Sequence, residues 1–160
     1  MSAISEQVRA AIGARLQTVV GQELTYGGEN LTYGGEQLTY GTGDATGAYY
    51  GVAPETASYP FIVFQRVPGT TDYAFHDTLI GERDRYLIKS YADEDAGTVS
   101  PTALNESILA AAEAAIGNTL TLTTATAHRV TRIADLPELW ETVNDRLVIM
   151  NGFQLETYAG

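Results

Sequence analysis

The sequence predicts an α+β domain in which a mainly antiparallel β-sheet carries two α-helices on one face. Three observations lead to this prediction: helical patterns at residues 2–20 and 101–116, and β-prone segments that lie between and after them. A chain of 160 residues can bury enough apolar surface to fold as one domain without disulfides or bound metals. We therefore treat residues 1–160 as a single domain with an insertion at about 22–50.

The spacing of apolar residues and the residues at the ends predict both helices. The first helix stops at Gly21, whereas Ser100 is a good N-cap of the second, with Pro101 in its first turn and Gly117 at its end. The residues expected to face the core are Ile4, Val8, Ala11, Ile12, Leu16 and Val19 in the first helix, and Leu104, Ile108, Ala111, Ala112 and Ala115 in the second.

A strand is predicted at residues 59–68, where aromatic and β-branched residues lie between two prolines. Phe61 and Val63 alternate with Ile62 and Phe64, so that both faces of the strand are apolar at its start. Such a strand needs cover on both faces or contact with a neighbouring subunit. We expect it to lie at the centre of the fold.

The other predicted strands are less apolar. They lie at residues 83–92, 120–123, 127–133 and 145–158, with loops at 69–77 and 134–141. In the last strand, Leu147, Ile149, Phe153 and Leu155 are expected to share one face. Asn151-Gly152 in the middle of this strand predicts a bulge or a bend.

Residues 24–43 contain a seven-residue repeat that begins Leu-Thr-Tyr-Gly in each of three copies. Its paired glycines argue against a coiled coil, because each costs about 1 kcal/mol in a helix. Each copy instead combines a short β-prone step with a turn. Two interpretations remain, a small meander or arm ordered by a partner and a flexible, recently expanded insertion. We favour the arm, because Tyr26, Tyr33 and Tyr40 offer large contact areas at modest entropic cost.

Charge and composition argue against several classes of function. The net charge is -11, and Lys89 is the single lysine, so tight sequence-independent binding of nucleic acid is not expected. Without cysteine, a disulfide framework, a thiol nucleophile and a zinc–thiolate site are excluded. The start lacks the pattern of a secretory signal, and no apolar run approaches the roughly 20 residues that span a bilayer. We expect a soluble protein that is intracellular where it is made.

The sequence predicts no catalytic, cofactor-binding or metal-binding residues. His76 and Asp77, with Asp72 nearby, could form an orienting pair or part of a metal site, but no third ligand at diagnostic spacing accompanies them. His128 is interpreted as a surface or interface residue. The sequence contains neither a nucleophile elbow nor a phosphate-binding loop.

Several residues are instead candidates for an interface. Arg83 and Arg85 lie in a run of alternating charge, which indicates either a solvated sheet edge or an intersubunit contact. Trp140, in a predicted loop, is either an interface residue or a plug of the core. The candidate interface residues are Tyr26, Tyr33, Tyr40, Arg83, Arg85 and Trp140.

The order of these features points to a known family. The segments that carry the likeness are Val8-Arg9-Ala10-Ala11-Ile12, Gly51-Val52-Ala53-Pro54, Ala57-Ser58-Tyr59-Pro60-Phe61-Ile62-Val63-Phe64-Gln65-Arg66 and Pro68-Gly69-Thr70. An arginine-led strand, an alanine-rich helix and a C-terminal strand ending in an aromatic residue follow. Residues 1–21 and about 50–158 thereby resemble the tail terminator, or tail completion, proteins of long-tailed bacteriophages and related gene transfer agents. The repeat at 24–43 departs from that family, in which a short connection joins helix and strand.

The resemblance implies a structural protein that forms a ring, usually of six subunits, on the last ring of a tail tube. Such a ring stops tube growth and joins the tail to the head. The implied partners are further copies of the chain, the tail tube protein and the head–tail connector or stopper, while DNA passes through the channel without specific binding. The implied location is the neck region of the virion tail, after assembly in the host cytoplasm. Neither enzymatic activity nor a cofactor is implied.

Three alternatives remain open. One is a head-side stopper or connector component of the neck. The others belong to different classes, a small hydrolase that uses His76, Asp72 and Asp77, and a glycan-binding module whose tyrosine repeat stacks on sugars. Two hypotheses accompany the ring: the acidic excess partly lines its channel, and residues 24–48 become ordered against a neighbouring subunit or the tube.

Overall fold

The structure, a computed structural model, consists of two helices, a seven-stranded sheet and six very short strands inserted after the first helix. It describes residues 3–20, 22–23, 25–26, 29–30, 32–33, 36–37, 39–40, 45–67, 71–73, 79–94, 100–122 and 128–159. The helices are α1 (Ala3–Gln17) and α2 (Pro101–Ile116). The inserted strands are β1 (Gln22–Glu23), β2 (Thr25–Tyr26), β3 (Glu29–Asn30), β4 (Thr32–Tyr33), β5 (Glu36–Gln37) and β6 (Thr39–Tyr40). Neither helix in the described part of the chain is long and apolar enough to cross a membrane.

The sheet is mainly antiparallel, which confirms the predicted α+β class. Its strands are β7 (Ala48–Tyr50), β8 (Phe61–Val67), β9 (Thr71–Tyr73), β10 (Leu79–Asp93), β11 (Thr119–Leu120), β12 (His128–Val143) and β13 (Arg146–Ala159). They lie in the order β11–β12–β13–β10–β8–β7, and β9 pairs separately with β10. Within the described sheet, β7 and β8 form the one parallel pair. The pair β10–β13 is central, with an unbroken register from Glu82↔Ala159 to Asp93↔Val148.

The main core lies between the helices and one face of this sheet. It is formed by Val8, Ile12 and Leu16 of α1, by Leu104, Ile108, Ala112 and Ile116 of α2, and by Ile62, Phe64, Tyr86, Ile88, Phe153 and Leu155 of the sheet. Removing a large apolar side chain from water contributes about 1.5–3 kcal/mol. Burial of these side chains therefore fixes both helices on one face, as the pattern of apolar residues predicts.

Helix α2 begins and ends as its sequence predicts. The Ser100 hydroxyl accepts a hydrogen bond from the backbone N–H of Ala103 (3.2 Å). At the other end, Gly117 adopts a φ of 71° and its N–H donates to the carbonyl of Glu113 (3.0 Å). The buried stripe differs in part from the prediction: Asn105, Leu109 and Ile116 are buried, whereas Ala111 and Ala115 are only partly buried.

Buried polar side chains connect each helix to the sheet. The Asn105 amide of α2 donates to the carbonyl of Ile149 (2.9 Å) and accepts from the hydroxyl of Ser90 (2.8 Å). On α1, the Ser5 hydroxyl donates to the buried carboxylate of Asp84 (2.7 Å), which also accepts from Arg66 (2.8 Å). This hydrogen bond from Arg66 is the main reason why the pKa of its guanidinium is raised. Both helices are thus held in register by directional bonds as well as by burial.

Strand β8 is buried on both faces, as predicted. Ile62 and Phe64 face the helices, whereas Phe61 and Val63 lie on the opposite face and are also buried. There the ring of Phe61 stacks on Tyr59 (5.0 Å between centroids) and on Tyr91 (5.3 Å). Aromatic neighbours therefore provide the cover that the second face of this strand requires.

The predicted loop at residues 134–141 is wrong, because this segment belongs to strand β12. The strand pairs with β13 up to a two-residue turn at Asn144 (φ 51°) and Asp145 (φ 64°), which has the backbone twist that antiparallel hairpins favour. Irregularities in the β12 register occur between Arg132 and Ala134 and between Leu136 and Leu139. Pro137 fits here, because no described strand pairs with the outer side of β12 at this position, so no ladder needs its missing N–H.

Three further predictions are corrected. Strand β13 keeps its register with β10 across Asn151-Gly152, so the irregularity predicted there occurs in β12 instead. Within the predicted loop at 69–77, Thr71–Tyr73 forms β9, and residues 74–78 lie outside the described part. The edge strand β7 was not predicted, because three residues are too short for a pattern of alternation.

The short strands of the insertion form three ladders with equivalent registers. Thr25-Tyr26 pairs with Glu29-Asn30, Thr32-Tyr33 pairs with Glu36-Gln37, and Thr39-Tyr40 pairs with Gln22-Glu23. The last repeat thus pairs with the residues that precede the first, so a ladder joins the two ends of the repeat segment. At its base, a β-bridge joins Val20 to Ala45, so the insertion leaves and rejoins the domain at adjacent points. The predicted short β-steps are confirmed.

Candidate functional site

The most exposed apolar part of the described molecule is the outer edge of the sheet at β12. Its outer side pairs with β11 only at His128 and Arg129, and no described strand covers the rest of that side. The large apolar side chains exposed along this strand are Ile133 (42%), Leu139 (57%), Trp140 (62%) and Val143 (36%). An unpaired strand edge with apolar side chains is a template for contact with another chain.

Trp140 is held at this edge by its polar end. Its indole N–H donates to Glu138 (2.8 Å), whose carboxylate also accepts hydrogen bonds from Thr102 of α2 (2.7 Å) and from Asn151 of β13 (3.1 Å). These donors, Thr102 first, lower the pKa of Glu138 below its ordinary value. The indole is therefore oriented while its ring stays exposed, and the interpretation of Trp140 as a core plug is wrong. An oriented, exposed aromatic side chain is typical of interface anchors.

Arg83 and Arg85 lie on the face of the sheet opposite the helices, where they alternate with buried Asp84 and Tyr86. The Arg83 guanidinium lies 5.7 Å from the ring centroid of Tyr158, and Arg85 lies 4.0 Å from the carboxylate of Glu156. Since β10 is a central strand, the alternative of a solvated sheet edge is wrong for these residues. Both arginines are exposed, and their role in an intersubunit contact stays a prediction.

An open groove of about 1150 Å³ lies on the same face, between the loop after β7 and the β12–β13 turn. Its walls include Pro54, Tyr59, Phe61, Val143 and Arg146. Burial, and secondarily the charges of Asp93 and Glu141, raise the pKa of the Tyr59 hydroxyl. This phenol is therefore suited to donating a hydrogen bond rather than to acid–base chemistry near neutral pH.

The tyrosines of the repeat occupy equivalent backbone positions. Tyr26 and Tyr33 each pair with a glutamate, and Tyr40 pairs with Gln22. The three tyrosines thus share one register position in three separate ladders, and their role as interface residues stays a prediction.

The described residues do not include the full set of candidate hydrolase residues. His76 and Asp77 lie outside the described residues, whereas Asp72 and His128 are described only as backbone positions of β9 and β12. In the described part of the chain, no cluster of three or more histidine, aspartate and glutamate side chains is suited to hold a metal ion.

Sequence reasoning missed four residues of the exposed edges. On the outer side of the sheet at β12 these are Leu139 and Glu138, and next to β7 they are Tyr50 (40% exposed) and Val52 (84%). The apolar residues of Gly51-Val52-Ala53-Pro54 are visible in the sequence. Their exposure could not be predicted, because it depends on which strands lie at the ends of the sheet.

Comparison with solved structures shows that this fold resembles that of a virion protein. A chain in the virion of a native gene transfer agent particle superposes with a TM-score of 0.52 and 18% sequence identity, and the match covers 100% of both chains. The two chains share a fold. No family model matches the sequence, and a search of curated proteins finds no match. Because the match covers the whole of both chains, the shared fold includes both helices and every strand of the sheet.

Proposed function

We propose that this chain is a structural virion protein that forms a ring at the head-proximal end of a phage-type tail tube. The ring stops tube polymerisation and joins the tail to the head connector. The observation that carries this proposal is the fold that the chain shares, over its entire length, with a chain of a gene transfer agent virion. The order of sequence segments that resembles tail terminators supports the more specific role.

The described surface agrees with a role in assembly. Trp140 is oriented but exposed, the β12 edge lacks a strand partner over most of its length, and an aromatic groove opens beside Tyr59. Each of these features suits contact with another protein. These features support a role that depends on shape and contacts rather than on turnover of a substrate.

Deletion of the gene, followed by electron microscopy of the particles, tests the proposal. Without a terminator, tubes should grow beyond their normal length and should remain separate from filled heads. Wild-type protein supplied in trans should restore joined particles of normal length. A His76→Ala variant should restore them equally well if the chain is not a hydrolase. Tails of normal length joined to heads in the deletion strain would contradict the proposal.

The same experiment separates a terminator from a head-side stopper. Loss of a stopper should leave tails of normal length beside heads that have lost their DNA. Overlong tubes are expected only if the chain terminates the tail. Antibody labelling of isolated tails provides a second measurement, because a terminator should remain at one tail end after the heads are removed.

We further propose that part of the net charge of -11 lines the channel of the ring, where repulsion keeps passing DNA from adhering. A structure of the assembled ring tests this directly. An acidic lumen is expected, and a basic or neutral lumen contradicts the hypothesis.

We also propose that residues 24–48 become ordered when the subunit meets a neighbouring subunit or the tube. The ladders of this segment contain two residues per strand, and strands this short do not hold a sheet together by themselves. Hydrogen exchange should therefore be slower for this segment in the assembly than in the free subunit. Equal protection in both states would contradict this expectation.

A further inference from the structure

The exposed large apolar side chains of the described structure are confined to the two opposite edges of the sheet. One group lies on β12, where Ile133, Leu139, Trp140 and Val143 are exposed, and the other lies at β7, where Tyr50 and Val52 are exposed. Since β12 and β7 lie at or next to opposite ends of the strand order, Leu139 and Trp140 lie on one edge and Tyr50 and Val52 on the other. The Val143 end of β12 approaches the loop after β7, and both line the groove beside Tyr59. The helices and the middle of the sheet contribute none of the exposed large apolar side chains described.

We propose that the outer edge of β12 in one subunit docks on the β7 edge of the next subunit, with Leu139 and Trp140 against Tyr50 and Val52. This inference rests on the proposed ring and identifies the surfaces that would form it. The partner is therefore a second copy of this chain, and the contact is head to tail. A contact between two different patches of the same chain repeats around a ring or along a filament.

The charges near the two patches are complementary. The segment from Asp135 to Val143 contains three acids, Asp135, Glu138 and Glu141, and no base. At the other edge, the Arg9 guanidinium lies 5.0 Å from the ring centroid of Tyr50, so a positive charge stands beside that exposed ring. Opposite charges that meet across a contact favour the correct pairing of surfaces.

The same charges disfavour the symmetric alternative. If residues 135–141 of two β12 strands lay opposite each other, Glu138 and Glu141 of each chain would lie close to those of the other, whereas Asp135 is paired with Arg132 of its own chain. Like charges placed opposite each other across paired strands are destabilising. The head-to-tail arrangement avoids this repulsion and also covers both apolar patches at once.

The outer sides of both strands also leave room for the contact. On β12, Val130 N–H donates to the carbonyl of Asn118, and no described strand pairs with the outer side beyond that residue. On β7, the Gln17 amide donates to the carbonyl of Ala48, and no described strand pairs with the outer side of Tyr49 or Tyr50. At both edges the exposed apolar side chains thus lie where no described strand pairs, although the Tyr50 carbonyl already accepts a hydrogen bond from the N–H of Val52 (3.0 Å).

The absence of cysteine from the chain makes disulfide cross-linking a direct test. Virions are assembled with Leu139→Cys and Val52→Cys in the same chain, oxidised and analysed on non-reducing gels. We expect a ladder of covalent oligomers that ends at the ring number, because a disulfide forms only when the two Cα atoms approach within about 7 Å. Each single variant should remain largely monomeric. A matched control pairs Leu139→Cys with Glu106→Cys, which is exposed on α2 and should not cross-link.

The outcomes distinguish this contact from the proposed function. Normal virions that contain the double variant but show no ladder would overturn the docking of β12 on β7 and leave the ring intact. Cross-linking of Leu139→Cys alone would also overturn it, because that result indicates a symmetric contact. Virions that lack the protein altogether would contradict the proposed function and with it the ring that this contact serves.

Discussion

Strands β12 and β13 are neighbours of similar length, joined by a two-residue turn, yet they differ in burial, in pairing and in regularity of register. In β13, Val148, Ile149, Met150, Phe153 and Leu155 are buried, and the strand has a paired neighbour on each side. Nearly every described side chain of β12 is exposed, and its register is irregular at two points. The comparison teaches that one hairpin serves two roles: β13 stabilises the domain, and β12 presents a surface to other chains.

The largest effect is expected from removing a core side chain of β13. Phe153 is fully buried, with the Arg132 guanidinium 4.8 Å from its ring centroid, so Phe153→Ala should reduce the free energy of unfolding by about 3–5 kcal/mol. Trp140→Ala in β12 should change it by less than about 1 kcal/mol, because the ring is exposed. Urea denaturation of the subunit measures both. Similar losses for the two variants would contradict the division of roles.

A smaller loss is expected from adding a methyl group to β13. A Cβ at Gly152 would lie 2.6 Å from the backbone oxygen of Ile88 and 2.8 Å from Cδ1 of Leu136, so Gly152→Ala should cost about 1–3 kcal/mol. Ala134→Val adds bulk to an exposed position of β12 and serves as the control, with little change expected. Thermal unfolding tests both. If Gly152→Ala were neutral, the close approach of β10 and β13 would not be rigid.

The contact between α2 and the sheet should contribute less. Asn105→Ala leaves the Ser90 hydroxyl without its acceptor and should cost about 1–2 kcal/mol. Thr102→Ala, on the same helix, removes a hydrogen bond to Glu138 on exposed β12 and should cost less than about 0.5 kcal/mol. Denaturant unfolding measures both effects, and adding Ser90→Ala and the double variant Ser90→Ala/Asn105→Ala gives the coupling energy between Ser90 and Asn105. Additive effects would show that Ser90 and Asn105 act independently.

The smallest effect concerns the charge at the β12 edge. The pKa of Glu138 is lowered from 4.5, so its hydrogen bonds persist above the unfolded-state pKa and are lost as the pH falls through the lower, folded-state value. Trp140 is the single tryptophan of the chain, and its fluorescence should therefore change with a midpoint below pH 4.5. Glu138→Gln should abolish this transition. An unchanged transition in that variant would assign it to another group.

The elements predicted well from sequence were those with local signals. Ser100, Pro101 and Gly117 mark α2 without reference to the rest of the fold, and the apolar residues of β8 identify a buried strand. Residues 134–141 were predicted wrongly as a loop, because Pro137 and the acidic residues have low strand propensity. The segment forms a strand because it pairs with β13. The exposure of Trp140 depends on the pairing of β12 with β13, and so does the position of its indole beside Glu138. The sequence therefore gave no sign of the hydrogen bond between these two residues.

The repeat shows the same limit. Its period and its short β-steps are local and were predicted, but the pairing of Thr39-Tyr40 with Gln22-Glu23 joins the two ends of the segment. Non-local pairing of this kind is not encoded in any single unit. The pairing of the two ends therefore had to come from the structure.

The ladder between β1 and β6 has a consequence for the length of the repeat. The first two Thr-Tyr steps pair within their own units, whereas the third pairs with Gln22-Glu23, ahead of the first unit. Loss or gain of one internal seven-residue unit through replication slippage would keep the reading frame and would remove or add one ladder that is complete within its unit. The last unit could still pair with Gln22-Glu23, so tandem copying would change the size of the insertion without changing how its two ends are joined.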